Sequence, residues 1–137
     1  MKKTVALAVV LALATTSASQ AQDAAGGISS VEISAEGQQV YVEVCQACHM
    51  ADARGGGGAG LGIPALAGNP NMADKDLIIG VLVNGRGGMP WFTDMLSADQ
   101  IAAVLTYVRS DFNAYGDPVT AAEVQSAISK AGSTAEG

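Results

Sequence analysis

The chain has 137 residues, enough for one small domain and hardly two. Aromatic residues are 4% of it and glycines number 17, so a domain of this size needs a disulfide, a metal or a cofactor to supplement a thin apolar core. A formal net charge of -6 excludes a nucleic-acid binder, and 49% hydrophobic residues exclude an overall disordered chain.

In chain order, the first segment reads as an export signal. Lys2 and Lys3 precede an unbroken apolar run from Val5 to Ala14, and Ser19-Gln20-Ala21 places small residues where a signal peptidase reads them. Residues 1–21 are therefore expected to be a signal peptide cut after Ala21. The run is shorter than the roughly 20 residues a bilayer-spanning helix needs. No second long apolar stretch follows, so no stable membrane span is expected after cleavage. The mature chain keeps all 13 acids and only Arg54, Lys75, Arg86, Arg109 and Lys130 as bases, a net charge of -8. An exported acidic protein of this kind is expected in the periplasm, where its two cysteines would not stay free without a reason.

Residues 22–33 read as a flexible leader, 34–131 as the folded domain and 132–137 as a loose tail. The domain opens on a helix from Ser34 to Cys48, with Ser34 as N-cap and Val40, Val44 and Ala47 at helical spacing. Arg54 to Gly62 holds six glycines and is a loop whose backbone approaches something closely. Ile63-Pro64-Ala65-Leu66 is an extended apolar segment. A second helix is expected from Asp74 to Asn84, ended by Gly85, followed by the loop Arg86-Gly87-Gly88-Met89-Pro90-Trp91-Phe92. Ser97 and Gln100 form a capping box ahead of the stripe Ile101, Val104, Leu105, Val108 and Phe112. Thr120 and Glu123 form another before a short helix to about Ala131. No strand alternation of any length and no internal repeat occurs, so the fold class is all-α.

The chemistry lies in Cys45-Gln46-Ala47-Cys48-His49, the C-x-x-C-H sequence of covalent haem attachment. One helical turn brings both thiols to one porphyrin edge, and the adjacent imidazole then faces the iron. A thioredoxin-like redox pair would follow a strand, and none precedes it. A zinc site needs further ligands, but His49 is the only histidine and there is no second cysteine pair. A plain disulfide needs no histidine. One haem c, attached through Cys45 and Cys48, is the expected cofactor.

With a single histidine, bis-histidine ligation and a distal histidine acid or base are both excluded. Met50 abuts His49 and cannot reach the opposite face of the haem. Met72 precedes the second helix. Met89 lies in a glycine-rich loop and is followed by proline, which makes it the expected sixth ligand, with Met95 as the alternative.

These residues resemble the class I cytochromes c of the small bacterial monohaem type, from about Gly37 to Phe112. Gly37, Tyr41, Cys45, Cys48 and His49 follow the N-terminal helix of that family, Pro64 and Leu66 its proximal segment, and Gly88-Met89-Pro90 its distal loop. Leu96-Ser97 and Ala102 to Arg109 resemble its C-terminal helix. The resemblance implies helices wrapped around one covalently bound haem. It also implies a Pro64 carbonyl accepting a hydrogen bond from His49, and a helix crossing with Gly37 at the contact and Tyr41 near Val104 and Tyr107. The tail from Gly116 through Thr120 resembles those of cytochromes that serve periplasmic dehydrogenases. Departures are the scarcity of lysines and the run Gly55 to Gly58.

With His49 and Met89 on the iron, no substrate reaches it. The chain is then an electron carrier, not an enzyme, working between a periplasmic dehydrogenase or respiratory complex and a terminal acceptor. The alternative is a haem enzyme or gas sensor with an open sixth position. Arg86 is either a partner of a haem propionate or a solvated charge, and Trp91 either an indole donor to a propionate or a packing residue. The acidic surface calls for redox partners with a basic docking patch.

Overall fold

The computed structural model describes residues 30–56 and 62–135. The signal peptide and most of the leader lie outside the described residues, as do residues 57–61 of the glycine loop and the last two residues of the tail. Among the described residues the regular elements are all helical, in keeping with the expected fold class.

Helix α1 covers Ser30–Val40, so it starts four residues before the expected cap at Ser34. Residues 30–33 therefore belong to the helix and not to the leader. No proline or glycine interrupts the chain between Ser30 and Gly37, so nothing forces a start at Ser34. A π-helical turn follows over Tyr41–Cys45, closed by the Gln46 N–H on the Tyr41 carbonyl, and a single α-turn, α2, covers Gln46–His49. The π turn inserts a residue and rotates the two cysteines relative to the apolar face of α1. Apolar spacing alone reads straight through it.

A short 3₁₀ turn, Pro70–Ala73, leads into α3, Lys75–Asn84. Asp74 caps α3 by accepting from the Leu77 N–H at 3.0 Å, and Gly85 ends it at φ 73. Helix α4 is Ala98–Asp111. Its capping box is complete: Ser97 Oγ accepts from Gln100 N at 3.2 Å, and Gln100 Oε1 accepts from Ser97 N at 3.0 Å. Losing the hydroxyl orphans a helix N–H, so Ser97→Ala is expected to lower stability by about 1 kcal/mol. A shift of the urea midpoint at constant slope checks it.

Helix α5 covers Ala121–Ala135, a turn longer than the expected end at Ala131, since Gly132 is tolerated in a helix that packs on its apolar side. Thr120 and Glu123 cap it reciprocally at 2.7 and 3.3 Å.

The core lies between α1, α3, α4 and α5. α1 crosses α4 so closely that a Cβ on Gly37 would sit 2.2 Å from the Ala103 carbonyl oxygen. Below the crossing Tyr41, Tyr107 and Phe112 form a triangle of rings with centroids 5.7, 5.3 and 5.5 Å apart. Val124 is fully buried and Val119 nearly so, and they dock α5. Arg109, on the α4 stripe one turn after Leu105, is buried and satisfied by the Met72 carbonyl and by Asp117.

Hydrogen bonds from Arg109 and Lys75 hold the Asp117 carboxyl down at about 2. A carboxylate favoured in the folded state stabilises above its unfolded value and loses that contribution as pH falls through the folded one. Stability is therefore expected to drop between about pH 4 and pH 2, and Asp117→Asn should flatten that part of an acid titration followed by circular dichroism.

Candidate functional site

The site grows from the end of the first helical stretch. The π turn and α2 present Cys45 and Cys48 one turn apart, both as free thiols, the first half-buried and the second exposed. Burial pushes the Cys45 thiol up to about 11, and the neighbouring Cys48 adds to this. The geometry suits thiols held in place for attachment.

His49 ends α2 and is 6% exposed. Its Nδ1 lies 3.1 Å from the Pro64 carbonyl oxygen. A carbonyl only accepts, so Nδ1 carries the proton and Nε2 keeps its lone pair. Burial lowers the imidazole pKa, and the Pro64 contact opposes this less strongly, so the ring is neutral at neutral pH. Neutral, oriented, and with a hydrogen-bonded far nitrogen, His49 has what a metal ligand requires.

Two devices hold that geometry. Met50 and Ala53 turn the chain with positive φ, 66 and 56, a conformation unfavourable for side-chain-bearing residues. The Tyr41 hydroxyl donates to the Met50 carbonyl at 2.6 Å and secures the first of these turns. Gly55 then takes φ +68, and a Cβ there would lie 2.4 Å from the Ile63 carbonyl oxygen. Only glycine lets the 62–66 segment pass close enough to deliver the Pro64 carbonyl. That gives the first residue of the glycine run a role. Leu66 and Ala67 complete the return by donating to the Ala53 carbonyl at 2.7 and 2.9 Å.

Asn113 fixes the same segment from the other side. Its Nδ2 donates to the Leu66 carbonyl at 3.0 Å and its Oδ1 accepts from Asn69 N at 2.9 Å. Neither Asn113 nor the Tyr41 hydroxyl carries a spacing signal.

Met89 sits in a four-residue turn closed at both ends, with Arg86 N on the Met89 carbonyl at 2.9 Å and Met89 N on the Arg86 carbonyl at 3.0 Å. Gly85 and Gly87 supply the positive φ values it needs. Phe92 N donates to the Leu82 carbonyl at 2.8 Å and pins the far end of the loop to α3. The Met89 side chain is half-buried against the core, Met72 is buried in it, and Met50 and Met95 are exposed. Arg86 is exposed. Trp91 is 56% exposed, and its indole N–H donates to Asp94 Oδ2 at 2.8 Å.

The residues present fit a haem. Two free thiols are spaced for two thioether links, and His49 Nε2 keeps a lone pair for the iron. Val44, Cys45, Leu66, Met89 and Leu96 pack on the core yet keep apolar surface uncovered, as residues do when a further apolar body belongs against them.

Residues 33–108 match the family described as cytochrome C oxidase, cbb3-type, subunit III. The chain is 35% identical over 115 residues to the cytochrome c subunit of alcohol dehydrogenase (quinone) from Gluconacetobacter polyoxogenes, covering 74% of this chain and 23% of that protein. It is 37% identical over 87 residues to cytochrome c6 of Rippkaea orientalis, covering 58% of this chain and 72% of that one. It is 40% identical over 78 residues to cytochrome c6 of Leptolyngbya boryana, covering 54% and 87%. The chain thus spans less than a quarter of the length of the dehydrogenase subunit that it matches.

Proposed function

Because this chain belongs to the c-type cytochromes, we propose that it is a periplasmic carrier taking electrons from a dehydrogenase or respiratory complex and passing them to a terminal acceptor. One haem c is its cofactor and electron transfer its chemistry. The observation that carries the proposal is the buried His49, its Nδ1 held on the Pro64 carbonyl, beside Cys45 and Cys48 one helical turn apart.

Cys45 and Cys48 would hold the haem covalently, His49 Nε2 would bind the iron on one side and Met89 sulfur on the other. When bound, the haem supplies an iron that takes up and returns one electron. The protein's part would be to keep His49 Nε2 and the Met89 sulfur in place in either oxidation state. The Pro64 carbonyl fixes the His49 ring, and the closed Arg86–Met89 turn fixes the thioether. Leu66 would cover an edge of the ring. A thioether favours ferrous iron and sets the potential high. Arg86, exposed at the head of the turn, is available to a propionate. With its N–H on Asp94, Trp91 is better read as part of the loop's own frame.

The periplasm is supported by the signal-like residues 1–21, and a dehydrogenase as donor by the likeness to a dehydrogenase cytochrome subunit. Among the described residues no helix is long and apolar enough to cross a membrane. The acidic charge favours a donor or acceptor with a basic patch, so transfer rates should fall as salt rises.

The test is the optical spectrum of the haem-loaded protein in both oxidation states. A low-spin spectrum with the weak far-red ferric band of thioether ligation, and no carbon monoxide uptake when reduced, is expected. A high-spin spectrum with rapid carbon monoxide binding would replace the carrier by a haem enzyme or gas sensor.

A further inference from the structure

The segment after residue 108 lies beyond the family match, yet it holds the helix that delivers Met89. α3 packs chiefly on α5 and less on α4. Val124 is fully buried in that contact region, with Ala127, Ile128 and Ala131 packed beside it. Polar ties secure the first turn of α3. Lys75 Nζ donates to the Pro118 carbonyl at 2.6 Å and lies 3.1 Å from Asp117 Oδ2 and 3.6 Å from Glu123 Oε1. Arg109 Nε donates to the Met72 carbonyl at 2.9 Å, just ahead of α3, and its Nη2 donates to Asp117 Oδ1 at 2.8 Å. The Arg109 guanidinium also lies over the Tyr115 ring, 5.5 Å from its centroid. At the other end of α3, Gly85 N bonds Val81 O and Phe92 N bonds Leu82 O, so the Met89 loop hangs from the last turns of the helix.

We propose that the 109–131 segment is a brace for the Met89 loop: by fixing α3 on the core, it sets how often residues 85–92 open and how readily an outside base takes the place of the thioether. Loops open locally, at a cost set by the contacts of the unit to which they are tied. The loop is tied to α3, and α3 to α5. Residues 109–131 thus act at a distance, as positioning residues for Met89. The inference rests on Met89 as the iron ligand.

Two alterations of the loaded protein test it. The pair Lys75→Met and Asp117→Ala removes the polar ties from the surface, and Val124→Ala loosens the apolar contact without touching a charge. The readouts are an imidazole titration followed by the far-red band, and amide hydrogen exchange at Met89 and Phe92 with residues 38–40 of α1 as reference. Either change is expected to lower the half-saturating imidazole concentration about fivefold and to speed exchange at Met89 and Phe92 by a similar factor, because both readouts follow the same opening of the loop. The α1 amides should be unaffected. Unchanged imidazole affinity, or α1 exchange rising in step with the loop, overturns the brace. If the parent protein lacks the far-red band, the Met89 reading fails instead, and the exchange at Met89 and Phe92 still decides whether α5 restrains the loop.

Discussion

Gly37→Ala is expected to destabilise the protein by about 3 kcal/mol, at the upper end of ordinary overpacking. Local propensity points the other way, since alanine is better than glycine in a helix by roughly 1 kcal/mol. The contact decides. A Cβ at Gly37 would lie 2.2 Å from the Ala103 carbonyl oxygen and 2.8 Å from both the Ala103 carbonyl carbon and the Tyr107 Cβ. Two of these are backbone atoms of α4, so no rotamer relieves the clash and the helices must separate. Separation would also pull Tyr41 from its ring contacts with Tyr107 and Phe112, and Tyr41 secures the turn after His49 through the Met50 carbonyl. Urea unfolding of both proteins measures the loss. A variant as stable as the parent would show that the crossing is looser than 2.2 Å implies. Loading with haem should also suffer, because the strained backbone around His49 would lose its support.

Features fixed by local chemistry were legible in the sequence. The cap of α4 at Ser97, the end of α3 at Gly85 and the stripe of α4 follow from hydroxyl, glycine and apolar spacing, and the structure has them where those residues put them, while Asp74, expected as the first residue of α3, is its cap one residue ahead. The attachment sequence was legible because two thiols and an imidazole at that spacing serve few other purposes. Features that depend on the approach of distant segments were not. Ser34 has the right hydroxyl for a cap, but what precedes it can also be helical, and α1 begins at Ser30. The π turn at Tyr41–Cys45 preserves apolar spacing on either side and so leaves no trace in periodicity. Gly55 announced a close approach, but only the structure shows that the approaching atom is the Ile63 carbonyl oxygen, one residue before the carbonyl that orients His49. Arg109 falls on the buried stripe of α4, and its partners Met72 and Asp117 belong to segments no local rule connects.

Met89→Ala is expected to convert the loaded protein from a closed low-spin cytochrome into one that binds carbon monoxide. The far-red ferric band should vanish, and the potential should fall by on the order of 0.1 V, a fraction of the roughly 0.8 V that axial ligands command. The other methionines are placed to contrast with it. Met95 lies outside the closed Arg86–Met89 turn, so Met95→Ala should leave spectrum and potential unchanged. Met72 is a core residue at 7% exposure whose carbonyl receives Arg109 Nε, so Met72→Ala should cost stability, about 2 to 5 kcal/mol as for a buried large-to-small change, while leaving the far-red band in whatever fraction stays folded. Loss of the band in Met95→Ala and its retention in Met89→Ala would move the ligand six residues along the chain. The role of the Arg86–Met89 turn would then have to change as well. A turn closed by two hydrogen bonds, led by a glycine that admits no side chain, and pinned to α3 at Phe92 would be holding a methionine still without a ligand's role to justify it. The closure of that turn is the structural reason we propose the thioether of Met89, since a ligand that must stay bound through both oxidation states needs a frame that holds it in each.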